Sequence, residues 1–261
     1  MITVQLLGGA CLRAGELPLA GPPVQRHRIA LLTLIVAAWP SPLSRDRAMA
    51  LLWPERDLAA ARRLLNLAVH VLRATLGEGA IVSTGDGLVL GASRVSCDLH
   101  ALGVAIAAGE HDRVARLYTG PLLDGFHLAG AREFTWWLEE RRSEIDHAYV
   151  KALLAIAEQQ RRSGDLFNRV ATCRRLVAAD PYSTQHALTL VQALSAVGDY
   201  VGARHFATEH AHRLRAELDV AVDPEIVRQL GDVMARQADL ARRITVALEA
   251  GMPDPRVTAP A

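Results

Sequence analysis

Four polar residues in one stretch have types and spacing that could do chemistry. In "ARRLLNLAVHVLRATLG", Arg63, Asn66, His70 and Arg73 recur at i, i+3, i+7 and i+10. At about 100° per residue they share one face of a helix, with Arg62 and Val69 flanking it. Arginine can fork onto guanine or grip a phosphate, and asparagine can pair with adenine, so this stripe suits contact with a duplex. Leu65, Ala68, Leu72 and Leu76 form a second stripe, with Leu64 and Val71 beside it. That second stripe is the one to bury. A helix of about 18 residues is about 27 Å long, enough to lie along a major groove. The same polar positions would also serve as a plain solvated face, so the helix alone leaves both readings open.

No other constellation points to catalysis. The ten histidines are scattered, and the densest set, His205, His210 and His212, has no acidic partner at metal-ligand spacing. Those three are read as a solvated face. No glycine-rich loop leads into Lys-Ser or Lys-Thr, and no GxSxG turn occurs. The carboxylates of "EFTWWLEERRSEID" meet arginines at helical spacing and read as a charged outer face. Trp136 and Trp137 must point to different sides of that helix, one to core and one outward. The expectation is a protein that is not an enzyme, with no cofactor and no metal.

Bulk properties agree with packed helices. Of 261 residues, 51% are hydrophobic and only 5% aromatic, so alanine, leucine and valine carry the core. The net charge is +1, divided as +3 over residues 1–100 and −2 over the remainder. The mild asymmetry leans toward an anionic partner for the N-terminal part. Cys11, Cys97 and Cys173 have no CxxC spacing, which suits a reducing, cytoplasmic setting without disulfides or a zinc knuckle. The longest apolar run, Ile29 to Trp39, is too short to span a bilayer, so no membrane association is expected.

The elements around the opening helix have a recognisable order. "ITVQLL" and "LGGACLRAGELPL" read as short strands, and "VQRHRIALLTLIVAAW" as a helix buried all round. Ser44 caps a second helix, "RDRAMALLW", with Asp46 in its first turn. The opening helix follows over Ala59–Leu76, with Gly77 ending it in a left-handed turn. "AIVSTGDGLVLG" is a hairpin whose tip carries Asp86, a charge that would repel a phosphate, and "VSCDL" is one more strand. Strands, three helices and a hairpin make a winged helix-turn-helix, the third helix being the one that enters DNA.

Beyond Asp98 the chain reads as helix, broken by "TGPLLDGF", "SGD", "DPYS", "VGD" and "VDPE". "SGDL" at 163–166 and "VGDY" at 197–200 place Gly-Asp pairs 34 residues apart, the tetratricopeptide period. Ala203 fills the small-residue position of that repeat, while Arg169 and Cys173 depart from it. The expected fold is mostly α: an N-terminal α+β winged helix-turn-helix domain over 1–98, an all-α tetratricopeptide-like domain over 99–250, and a Pro-rich tail or linker over 251–261.

The segment "SRDRAMALLWPERDLAAARRLLNLAVHVLRATLGEGAIVSTGDGLVL" resembles the DNA-binding domain of the Streptomyces antibiotic regulatory protein family. "LYTGPLLDGFHLAGAREFTWWLEERRSEI", "LVAADPYSTQHALTLVQALSAVGDYVGARHF" and "LRAELDVAVDPE" look like the bacterial transcriptional activation domain that follows it there. The resemblance implies an activator that binds repeated elements in double-stranded promoter DNA, often as a side-by-side homodimer, and recruits RNA polymerase holoenzyme. It also implies that the loop from Trp53 to Asp57 touches polymerase, through Glu55, Arg56 and Asp57. On the helix, Arg62 and Arg73 are expected on phosphates and Arg63, Asn66 and His70 on base edges. The competing reading is a protein-interaction scaffold that uses the helical domain, with the winged helix as a dimerising or vestigial module.

Overall fold

A computed structural model of the chain describes residues 2–91, 95–219 and scattered helical positions between 224 and 246. The expected tail, 251–261, lies outside the described residues. By contact density the chain divides into Met1–Ala152 and Leu153–Ala261.

The first unit begins with β1 (Ile2–Gln5), β2 (Cys11–Ala14) and β3 (Leu17–Pro18). A 3-10 turn at Pro22–Val24 then leads into α1 (Arg26–Ala37). Two residues shorter at each end than the sequence suggests, α1 is sheathed all round: every residue from Ile29 to Val36 is buried. Thr33 tolerates this because its hydroxyl donates to the Ile29 carbonyl, 2.9 Å away. Next come β4 (Leu43–Ser44), α2 (Arg45–Leu52) and α3 (Leu58–Leu76), then the hairpin β5 (Ile81–Thr84) and β6 (Gly87–Leu90). Strand β7 (Val95–Cys97) runs straight into α4 (Asp98–Ala107), followed by α5 (His111–Leu117) and the long α6 (Arg132–Ser163).

Two small sheets frame these helices, in the orders β3-β2-β1-β7 and β4-β6-β5. Among the described residues, only β1 and β7 pair in parallel, Val4 opposite Cys97. Where that pair ends, the Asp98 carboxylate accepts hydrogen bonds from the backbone N–H groups of Leu6, Leu7 and Leu99 at 2.7–3.0 Å. Burial pushes the Asp98 carboxyl up from the ordinary carboxylate value, and those N–H groups pull it partly back. The stretch "TGPLLDGF" is more than a break between helices. Leu7 and Leu122 form an antiparallel bridge, and the Leu123 N–H donates to the Leu6 carbonyl at 2.7 Å. Gly120 permits this docking, because a Cβ there would fall 2.9 Å from the Gly8 Cα. Arg142 of α6 then donates to the carbonyls of Leu122 and Leu123, at 2.7 and 2.5 Å. One core runs through the whole unit, from Val4 and Leu31 through Leu65 and Leu122 to Phe134 and Ala152.

The expected boundary at 98 therefore differs from the compact unit, which continues through α4, α5 and the first part of α6. Charge patterning within α6 follows the sequence: Trp136 is exposed and Trp137 buried, and Arg141 pairs with Glu144 and Arg142 with Glu139.

The second unit takes up the end of α6 and adds α7 (Leu166–Ala179), α8 (Thr184–Ala196) and α9 (Tyr200–Leu218). Helices α7 and α8 pack together, as do α8 and α9. The two Gly-Asp pairs make the same turn. Gly164 and Gly198 hold φ of 76° and 81°. Asp165 N–H donates to the Gln160 carbonyl at 2.9 Å, and Asp199 N–H to the Leu194 carbonyl at 3.0 Å. Each is a six-to-one C-terminal cap that needs glycine at the left-handed position. Gly109 and Glu110 repeat the pattern between α4 and α5, off the 34-residue period. Ala203 is fully buried, and the departing residues Arg169 and Cys173 are buried as well. The reading of His210 as part of a solvated face is corrected: it is only 1% exposed and stacks on Phe206. It sits one turn beyond Ala203 and Ala207 on the packing side of α9, which spacing among histidines could not reveal. His205 and His212 are exposed.

Candidate nucleic-acid interface

The candidate site is built from α2, α3 and the β5–β6 hairpin. Helix α2 starts at Ser44, whose hydroxyl accepts from the Arg47 N–H at 3.2 Å. Helix α3 starts one residue earlier than expected, capped by Asp57, whose carboxylate accepts from the Ala60 N–H at 2.8 Å. Its buried side is Ala61, Leu65, Ala68, Val69, Leu72 and Leu76. Val69 is thus not the outward apolar residue that the sequence suggests. It is 4% exposed, because the buried face is wide enough to take it beside Leu65 and Leu72. The apolar residues that do face outward are Leu58, Leu64 and Leu67, at 61%, 36% and 52% exposed. At its other end, Gly77 has φ 103° and ψ 148°, a positive φ outside the left-handed helical region.

Arg62, Arg63, Asn66 and His70 are exposed along α3, with Arg63, Asn66 and His70 turned away from the buried stripe and Arg62 at its edge, seven residues before Val69. Arg73 is half-buried and does something the sequence did not suggest. Its Nε donates to the Ile81 carbonyl at 2.8 Å and its Nη2 to the Ser83 hydroxyl at 3.1 Å. Arg45, the first residue of α2, reaches the same hydroxyl through Nη2 at 3.3 Å and the Asn66 Oδ1 through Nη1 at 3.1 Å. Two guanidinium groups therefore converge on Ser83 and lock the hairpin to both helices. Arg45 and Ser83 escaped the sequence reading because Arg45 lies 21 and 38 residues from its partners, beyond any helical period.

The loop between α2 and α3 exposes Glu55, Arg56 and Asp57. Asp57 is committed to the helix cap, which leaves Glu55 and Arg56 as its freer charges. Beside them is a cleft of about 370 Å³ lined by His27, Leu52, Trp53, Glu55, Leu64 and Leu67, among others. His27 stacks flat on Trp53 with ring centroids 5.5 Å apart, and burial holds its pKa below the ordinary histidine value.

Elsewhere the chemistry is quiet. Among the described residues, no group of three or more His, Cys, Asp or Glu side chains is placed to hold a metal ion. Cys97 and Cys173 are buried free thiols, and burial pushes Cys97 up to about 12. Among the described residues, no helix is long and apolar enough to cross a membrane.

Known proteins place this arrangement. A family model described as the bacterial transcriptional activator domain matches residues 90–232. A solved structure, Mycobacterium tuberculosis EmbR in complex with a low affinity phosphopeptide, is similar over 96% of this chain and 72% of its own. The TM-score is 0.63 at 20% identity, a likeness of fold. No curated protein matches the chain. With more than half its length matched by that model, the chain belongs to the bacterial transcriptional activator domain family.

Proposed function

We propose that this activator works by binding double-stranded promoter DNA with the outer face of α3 and presenting its α2–α3 loop to RNA polymerase holoenzyme. The observation that carries the reading is the run of Arg62, Arg63, Asn66 and His70, all exposed on a helix that is anchored by a separate buried face. Arg63, Asn66 and His70 face base edges, and Arg62 and Arg73 serve phosphates. Arg73 does so while also holding the hairpin in place. Glu55 and Arg56 supply the polymerase contact, with Asp57 behind them as the helix cap. The chain acts in the cytoplasm and occupies repeated elements as a side-by-side homodimer, because a single helix of this modest charge grips DNA weakly.

Mobility shifts of the full chain against promoter fragments, at fixed salt, test the reading. Arg63→Ala and Asn66→Ala each weaken the preferred site by about ten- to a hundredfold and relax its sequence, the cost of one base contact at about 1–3 kcal/mol. Arg62→Ala lowers the salt slope by about one and leaves the preference unchanged. Glu55→Ala reduces transcription in vitro without loss of DNA affinity. Binding that ignores sequence, or no binding, with both base-facing variants equal to wild type, overturns the proposal.

A further inference from the structure

A second cleft lies apart from α3. It has a volume of about 230 Å³ and opens between the end of α1, α4 and the first part of α6, all within the first unit. Trp39, Leu102, Ile106 and Ile145 give it apolar walls, and Trp39 and Ile106 remain 43% and 39% exposed. Three features go beyond an ordinary surface hollow.

The first is a pair of stranded polar atoms. Arg141 and His100 line this cleft, and Arg141 Nε and His100 Nδ1 are both shielded from solvent, with no hydrogen-bond partner among the described residues. Buried donors are normally satisfied, so each such atom calls for an explanation. An occupant reaches either atom only by a turn of its side chain, and that of Arg141 is 35% exposed.

The second is Gly103, in the middle of α4. Glycine in a helix interior costs stability relative to alanine. Here no turn demands it: a Cβ would meet only the edge of the Trp39 ring, at 3.9 Å. Gly103 lines the cleft, and a larger side chain there would take up its space.

The third is charge. Arg141 Nη1 is paired with the Glu144 carboxylate at 2.5 Å, so the guanidinium charge is already matched. A further carboxylate would meet a neutral pair and the repulsion of Glu144. The unmet need at Nε is for an acceptor, not for a counter-charge.

We propose that this cleft binds a small, neutral, mainly apolar molecule carrying one acceptor oxygen, such as a ketone or amide carbonyl, which Arg141 Nε bonds. Helix α1 packs on both α4 and α3. An occupant wedged between α1 and α4 therefore bears on the helix that seats α3, and gives the activator an input of its own. The inference stands whether or not α3 reads DNA.

Acetophenone, cumene and benzoate are the probes, matched in size and differing in the oxygen and the charge. They are titrated into the full chain and read at the Trp39 indole resonance, assigned with Trp39→Phe. Acetophenone moves that resonance saturably at millimolar concentration, and cumene binds about tenfold more weakly for want of the hydrogen bond. Arg141→Leu brings acetophenone down to the level of cumene. Gly103→Leu and Ile106→Trp each fill the cleft and abolish the shift, with thermal unfolding to show that both variants fold. Because Ile106 is part-exposed, its variant decides the matter where Gly103→Leu fails to fold. The absence of a saturable shift, equal binding of cumene, tighter binding of benzoate, or a shift that survives Ile106→Trp overturns the proposal.

Discussion

The two units hold themselves together over different distances along the chain. In the first, the decisive ties join residues far apart in sequence: Asp98 to Leu6 and Leu7, Arg142 to Leu122 and Leu123, Leu7 to Leu122. In the second, each helix packs on its neighbour, and the same Gly-Asp turn recurs. The first is a closed network in which one lost tie is felt throughout. The second is close to a stack, in which damage stays local.

Asp98→Ala is the sharpest way to break that contrast. It strands three backbone N–H groups at the junction of β1, β7 and α4, and costs about 3 kcal/mol of folding stability. Urea unfolding followed by tryptophan fluorescence reads it, since Trp39, Trp53, Trp136 and Trp137 all lie in the first unit, and hydrogen exchange shows lost protection across that whole unit. A loss confined to α4 would mean that the first unit is no more cooperative than the second.

Acidification should act on the second unit through His210. Burial, with Arg213 nearby, holds its pKa below 6.5, so the unfolded chain takes up the proton first. The stabilisation is full above 6.5 and is lost as the pH falls below it. Unfolding midpoints at pH 7.5 and pH 5 measure the effect, and His210→Leu should flatten the pH dependence. An unchanged dependence would assign it to another group.

Asp199→Ala removes the cap that accepts from the Gly202 N–H at 2.8 Å and costs about 1 kcal/mol. Exchange protection should fall at the start of α9 and hold in the first unit. The smallest effect belongs to Glu158. Arg161 and Arg162 pull its carboxyl down to about 2, yet the trio is exposed and screened. Glu158→Gln should leave the unfolding midpoint unchanged at physiological salt.

The same difference in range explains what could be read from the residues alone. The Gly-Asp turns, the buried α1, the buried stripe through Leu65 and Leu72, and the order of the winged helix all follow from spacing within one element or between neighbours. Asp98 looked like the end of a strand, and nothing local announces its bonds to Leu6 and Leu7. The bridge from Leu7 to Leu122 was equally silent, because a two-residue contact leaves no alternation to detect. Within the candidate interface, spacing picks out Arg63, Asn66 and His70. It misjudged Val69, whose placement depends on how wide the buried face of α3 is. It also missed the engagement of Arg73 with the hairpin, because Ser83 belongs to a different element.

The Arg45–Asn66 bond bears on spelling as much as on shape. With Arg45 donating to one lone pair of its oxygen, the Asn66 amide is held in one orientation, its Nδ2 hydrogens left to donate and the second lone pair on Oδ1 left to accept. A two-point grip on adenine asks asparagine to accept and donate at once. On the proposal that α3 binds DNA, Arg45 removes neither half of that grip but sets the angle at which Asn66 offers it. An arginine that need never touch a base would then share in how one is read.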